Sequence, residues 1–409
     1  HEEAEFAARK TAEAADLAAH PTQPDRDRFG GWASGPKREA TGFFRTEKID
    51  GRWWLVDPDG HLFFSSGIDC VGDDVATMIT GRESWYAWLP GKGDPMARFF
   101  GRVGNVHRGP VKEGRTFSFF KANLVRKYGP DFESTFLDTA LKRLPAWGFN
   151  TVANWSDRRL YRNGRVPYTA TAGVGGRHRR VSSGSDYWGQ MHDPFDPEFA
   201  ADVERSLAQL VPQIKGDPWC VGYFVDNELS WGSFDSKDAK GRLGLALGAL
   251  AADQGSPAKE SLVALLRSRY KDIAKLNTAW GTTFTDWDAL RTKPWKPDAL
   301  DNESMRADLS AFVTSFALQY FTTIRDALRR LDPDHLYLGC RFAWKTDEAI
   351  RAAAEVCDVV SFNIYEKRVD AKKWAFVNDL NKPAIIGEFH VGALDRGMWH
   401  TGLQSAASQ

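Results

Sequence analysis

The sequence predicts an α/β chain folded as a (β/α)8 TIM barrel, and three observations lead there. Short apolar runs alternate with amphipathic helical segments along most of the 409 residues. Several of those runs are apolar almost throughout, as strands are when helices cover one face and a barrel interior fills the other. Carboxylates and amides then gather at the carboxyl ends of the runs, where such barrels carry their reactive groups.

Residues 2–19, EEAEFAARKTAEAADLAA, read as an Ala- and Glu-rich helix, followed by a polar linker to about Gly35. This divides the chain into a helix and linker at 1–35 and a barrel at 36–409. GRWWLVDPDGHLFF reads as a hairpin, two apolar runs around a turn to which Pro58 and Gly60 give the geometry. Strand candidates follow at 63–71, 151–155, 166–174, 220–228, 336–344, 358–365 and 384–392. Between them, residues 257–280 read as a helix capped by Ser256 with Pro257 in its first turn. A second helix, 304–330, sets Leu309, Phe312, Val313, Phe316, Tyr320, Ile324 and Leu328 on one stripe. The strand count is seven, and the 17 residues after Gly392 are too few for another helix, strand and helix. The barrel is therefore read as incomplete at its C-terminal end, before strand eight. A doubly wound open sheet is the structural alternative; GIDCVGDDV, after the first strand, has no G-x-G-x-x-G and the chain no Walker pattern.

Composition excludes several functions. Lys plus Arg and Asp plus Glu both total 54, so nothing in the charge balance attracts nucleic acid or an anionic membrane. No apolar run approaches the roughly 18 residues of a membrane helix, so membrane insertion is not expected. Cys70, Cys220, Cys340 and Cys357 lack C-x-x-C spacing and read as small buried hydrophobes rather than a zinc site, with a disulfide left open. The chain starts at His1 without a signal peptide, which says nothing of where the whole protein goes.

The chemistry lies at the strand ends. The fourth strand closes in Asn227-Glu228, the sixth in Asn363-Ile364-Tyr365, the seventh in Glu388-Phe389-His390. Two carboxylates facing each other across a barrel mouth suit glycosidic cleavage, one protonating the leaving oxygen and the other attacking the sugar carbon. The attacking group must stay ionised, so it needs donors, and Tyr365 on the neighbouring strand is the natural one. Asn227 suits a sugar hydroxyl beside the reacting carbon. Arg341, in the fifth strand, either helps keep the nucleophile ionised or makes a core ion pair. His390 either contacts substrate or is a packed imidazole. Asn154, Trp155, Asn363, Trp231, Trp344 and Trp399 complete the expected substrate-binding set. The last three, with Trp85, Trp88, Trp155 and Trp188, fall at or beyond strand ends, where flat indoles suit the C–H faces of sugars. The long stretch 73–129 is expected to build part of the cleft. The run GGRHRR (175–180) reads as a solvated loop, or as a grip on an acidic sugar group. No metal or organic cofactor is required by this chemistry.

FFRTEKIDGRWWLVDPDGHLFFSSGID, YFVDNELSWG and IIGEFHVGALDRGMW, in that order, resemble the β-agarases of glycoside hydrolase family 50. The resemblance runs from about Phe43 to the end of the chain. It implies a retaining glycosidase, with Glu228 as acid/base, Glu388 as nucleophile, and Asn227 and Tyr365 in support. The implied substrate is agarose or neoagaro-oligosaccharide, cleaved at β-1,4-galactosidic bonds, and the implied location secreted or periplasmic. YKDIAKLNTAWGTTFTDW also resembles family 42 β-galactosidases, which share the barrel and both carboxylates. A carbohydrate-binding barrel that has lost catalysis is the alternative outside enzymes. A dehydrogenase or phosphoryl-transfer enzyme is disfavoured by the missing phosphate loops.

Overall fold

Residues 3–106, 109–233, 238–396 and 401–408 are described by the structure, a computed structural model. Contacts divide the chain into two compact units, residues 1–37 with 61–168, and residues 38–60 with 169–409.

The first unit opens with helix α1 (Glu3–Ala19), as the Ala- and Glu-rich segment predicts. Its Glu13 accepts from Lys127 Nζ at 2.7 Å and Arg143 Nε at 2.5 Å. Burial alone would raise the Glu13 pKa, but these two cations outweigh it and hold the carboxyl below its ordinary range. In the second unit, strands β1 (Arg45–Ile49) and β2 (Arg52–Val56) form an antiparallel hairpin not read from the sequence. Its two turn residues, Asp50 and Gly51, both take positive φ, the geometry a two-residue hairpin turn favours.

Back in the first unit, β3 (Gly67–Ile68) pairs in parallel with a later strand, β7 (Thr151–Val152). The apolar run 63–71 thus yields a two-residue strand at its middle. Cys70 has φ 60°, which ends the extended run, and side chains take over the pairing: Asp69 accepts from Asn154 N and Ser156 from Val71 N. Cys70 is exposed, contrary to the buried role expected of it, while the other three cysteines are buried. Between these strands, the stretch 73–129 is not structureless. Strands β4 (Thr77–Met78), β5 (Phe100–Val103) and β6 (Gly114–Phe117) form an antiparallel sheet with β6 in the middle. Ile79, Phe117 and Ala122 make its core, with Tyr86, Trp88, Phe99 and Phe119 packed against them. Helices α2 (Phe119–Tyr128) and α3 (Phe132–Ala146) follow, and Ser118 caps the first by accepting from Lys121 N.

Strand β8 (Tyr168–Ala172) spans the boundary between the units. In the second unit, β9 (Arg180–Val181) and β10 (Met191–His192) pair antiparallel and lead to helix α4 (Pro197–Leu210), capped by Asp196. All six residues of β11 (Cys220–Val225) are buried, as their apolar run predicts. The expected helix 257–280 is two helices. Its first part, α5 (Pro257–Tyr270), carries the Ser256 cap; Lys271 then turns to φ 65°, and Asp272 caps a new helix at Ile273. Helix α6 (Glu303–Leu331) buries every residue of its predicted stripe. Then come β12 (Leu336–Tyr337), α7 (Asp347–Val356), β13 (Val360–Asn363) and β14 (Ala384–Glu388).

Strand β11 lies between β8 and β12, and its pairing with β12 is parallel. Strands β13 and β14 form a second parallel pair, and an isolated parallel bridge joins Phe342 to Phe362. This is a mixed α/β fold with parallel strands. The strands are shorter than the apolar runs that predict them, for a local reason. After β12, Gly339 and Arg341 have φ of 81° and 52°, so the ladder breaks while single bonds persist, such as Val225 N to the Gly339 carbonyl. No helix among the described residues is long and apolar enough to cross a membrane.

Candidate active site

The site begins where β11 stops. Beyond Val225, Asp226 and Glu228 take φ of 61° and 49°, left-handed values that cost non-glycine residues about 1–3 kcal/mol each. This zigzag parts neighbours in sequence. Asp226 turns into the core, accepting from Tyr320 Oη at 2.5 Å and Val174 N at 2.7 Å. Glu228, 9% exposed, accepts at Oε1 from Asn363 Nδ2 (2.8 Å) and at Oε2 from Trp188 Nε1 (2.9 Å).

The second carboxylate comes from the end of β14. Glu388 accepts at Oε1 from the Tyr365 hydroxyl and at Oε2 from Asn363 Nδ2, at 3.3 Å. Arg341, fully buried, brings Nη1 to 3.6 Å from the same Oε2. A register shift in β13 at Phe362/Asn363 re-aims the Asn363 amide, as bulges do near functional sites. Gly387 is required beside it: a Cβ there would stand 2.7 Å from Arg341 Cδ and 3.3 Å from Asn363 Oδ1.

Asn363 therefore joins both acids. Its Nδ2 lies 2.8 Å from an oxygen of Glu228 and 3.3 Å from one of Glu388, so those oxygens are at most about 6 Å apart. The same nitrogen stands 3.2 Å from Asn227 Oδ1. Chemically, the site holds two carboxylates at a spacing that admits one sugar carbon and its glycosidic oxygen.

The remaining expected residues divide. Trp344 stacks on Tyr187 with ring centroids 5.0 Å apart, and Tyr187 meets Trp188 edge-on at 4.8 Å. Trp188 reaches Glu228, which gives this aromatic group a place at the acid. His390 packs edge-on against Tyr365 at 5.0 Å and accepts from Leu403 N at 2.8 Å, which puts its own proton on Nδ1. Trp231 corrects the expectation placed on it. It is fully buried, stacked on Phe321 at 5.3 Å, and is a core residue that no sugar reaches. Asn154 and Trp155 belong to the first unit, Asn154 buried and Trp155 exposed with φ 61°. Trp88 is likewise packing, against Phe117 and under the Arg126 guanidinium, whereas Trp85 is exposed. Trp399 lies outside the described residues. In GGRHRR, Arg177, Arg179 and Arg180 are exposed, but His178 is buried against Asp202, which the charge run does not suggest. Sequence reasoning also leaves Asp226 and Tyr187 unassigned; Tyr187 adjoins a Trp past a strand end, and that position was its only signal.

A parallel α/β fold with paired glutamates at two strand ends, bridged by one amide, is an arrangement suited to a glycoside hydrolase. The profile of glycoside hydrolase family 42, described as "Beta-galactosidase", matches residues 180–401. Beta-agarase B of Vibrio sp. (strain JT0107) is 42% identical over 412 residues, 94% of this chain and 43% of the relative. Beta-agarase A of the same strain is 38% identical over 395 residues, 90% of this chain and 39% of the relative. The chain thus spans less than half the length of these curated relatives. Among solved structures, the agarase AgWH50C superposes with a TM-score of 0.93 at 38% identity, covering 100% of this chain and 60% of that one. An exo-β-agarase superposes with a TM-score of 0.93 at 37% identity, covering 100% and 61%. The chain belongs to the glycoside hydrolases that the family 42 profile describes and, along its full length, groups with the family 50 β-agarases.

Proposed function

We propose that this chain carries the catalytic machinery of a retaining β-agarase, which hydrolyses β-1,4-galactosidic bonds of agarose or neoagaro-oligosaccharides. The observation that carries the reading is the Asn363 amide held between Glu228 and Glu388. It keeps the carboxylates within about 6 Å, compatible with the roughly 5–5.5 Å of retaining enzymes and short of the roughly 6.5–9.5 Å of inverting ones.

In this reading Glu388 attacks the anomeric carbon while Glu228 protonates the departing oxygen. The glycosidic C–O bond breaks, a glycosyl ester forms on Glu388, and the shortened sugar leaves with the Glu228 proton. Water then gives its proton to Glu228 and its oxygen to the anomeric carbon, releasing Glu388. The donors fit these roles. Tyr365 and Asn363 donate to Glu388, and Arg341 sets a cation beside it. Asn227 is suited to a sugar hydroxyl, and Trp188, Tyr187 and Trp344 to the sugar faces beyond the acid.

The parallel strands, met in chain order, support a (β/α)8 barrel over residues 36–409 with the helix and linker at 1–35 ahead of it. A substrate too large to enter a cell supports a secreted or periplasmic protein. Proton NMR of the chain hydrolysing neoagarotetraose tests the central claim: the β-anomer of the new reducing end should form first. An α-anomer formed first would rule out double displacement.

A further inference from the structure

Beneath the acid, a chain of buried polar side chains crosses the second unit. Asp202 of α4 meets His178 Nδ1 at 2.6 Å, His178 Nε2 meets His192 Nδ1 at 2.6 Å, and His192 Nε2 lies 3.3 Å from Asp226 Oδ2. Asp226 also accepts from Tyr320 and from Val174 N, and it stands two residues before Glu228. Other titratable or charged groups face this chain. Arg205 pairs with Asp202 from α4, Arg180 Nη1 lies 3.3 Å from His192 Nε2 from β9, and the fields of Tyr337 and Cys340 meet that of Asp226.

Counting protons gives the chain two states. Carboxylates only accept, so His178 Nδ1 carries a proton toward Asp202, and a second proton lies between the two rings. With the pair neutral, His192 Nε2 is bare; it accepts from Arg180 and offers nothing to Asp226. With a third proton on the pair, His192 Nε2 donates to Asp226 instead. The two partners stand at equal distance, so protonation selects between them.

We propose that Asp226 is a positioning residue for Glu228, and that a proton on the His178–His192 pair tightens its hold. The proposal rests on Glu228 being the acid/base. The support is geometric: the left-handed turns at Asp226 and Glu228 need an anchor, and Asp226 is the anchored side chain. Burial would raise the Asp226 pKa, but His192 and Tyr320 outweigh it and keep the carboxyl ionised to accept that hold. For His178, burial leads and lowers its affinity for an added proton. As pH rises the proton is lost, Arg180 takes the ring, and the grip on Asp226 loosens.

The test compares two substrates across pH 5 to 8.5. Neoagarotetraose needs a proton on its leaving oxygen, whereas the 4-nitrophenyl glycoside of neoagarobiose, with a good leaving group, hardly does. At pH 5.5, His192→Gln should lower kcat/KM on neoagarotetraose about tenfold and on the nitrophenyl glycoside less than about threefold. The wild-type advantage should shrink toward one as pH rises. Asp226→Asn should show the same split at every pH. Equal losses on both substrates, a pH-independent ratio, or no loss would overturn the proposal. Glu228→Ala, run alongside, should show the split more strongly; if it shows none, the assignment of Glu228 fails and not the role of Asp226. A crystal structure of His192→Gln reads the same point without turnover. Glu228 should leave Asn363 Nδ2 by about 1 Å or more while the fold holds, and an unmoved carboxylate would overturn the positioning role.

Discussion

Trp188 donates its indole N–H to Oε2 of Glu228 at 2.9 Å, from a side chain that is 56% exposed. An aromatic open to solvent thus touches the proposed acid directly, so stacking a sugar on it would also steady the proton donor. Replacing it by Phe keeps the face and removes the N–H. Trp188→Phe should lower kcat/KM on neoagarotetraose about tenfold, the worth of one hydrogen bond, with KM changing less than kcat. Initial-rate kinetics checks this, and a change confined to KM would make Trp188 a binding residue alone.

Glu388→Gln should abolish turnover while leaving sugar binding largely intact. Losing covalent catalysis costs several powers of ten, so a variant retaining more than about 1% of wild-type activity would refute the nucleophile assignment. Calorimetric titration with neoagarohexaose gives the binding half of the test.

Gly387→Ala should be costly out of proportion to one methyl group. The new Cβ would stand 2.7 Å from Arg341 Cδ, and Arg341 is fully buried, so it has no room to give. Overpacking of this kind costs roughly 1–3 kcal/mol. The melting temperature should fall by several degrees, and activity should fall further as Arg341 and Asn363 shift against Glu388. An unchanged melting temperature would show that the strand end yields.

Asp193 offers a pH test away from the chemistry. Burial lifts its pKa to about 6, although Ala258 N and Phe195 N donate to it. A carboxyl with a folded pKa above its unfolded value stabilises below the unfolded pKa of about 3.8, and that contribution is lost as pH rises through about 6. Asp193→Asn removes this titration. The difference in melting temperature between wild type and variant should therefore move in favour of the variant from pH 4 to 6 and stay level above 7. A constant difference across that window would show that Asp193 titrates normally.

Much of this arrangement is legible in the sequence, and what is not has physical reasons. The α6 stripe is legible because seven apolar residues at helical spacing have one way to be buried together. Glu228 and Glu388 are legible because an apolar strand has no packing reason to end in a carboxylate. Trp231 misleads, since three residues past Glu228 a tryptophan can turn outward or inward, and Phe321 in the distant α6 decides. The break at Lys271 is hidden because apolar periodicity runs on across it, and only the Asp272 cap marks a new start. The His178–His192 pair is hidden most deeply. His178 lies ahead of β9 in a run whose charges read as solvent-facing, and His192, fourteen residues on, closes a strand of only two residues.

The amide of Asn363 has two hydrogens and three oxygens around it, on Asn227, Glu228 and Glu388. One acceptor is therefore always underserved, and Asn227, the neutral one at 3.2 Å, loses that contest to its charged neighbours. That deficit makes Asn227 the acceptor that an added donor, such as a sugar hydroxyl, would satisfy at least cost.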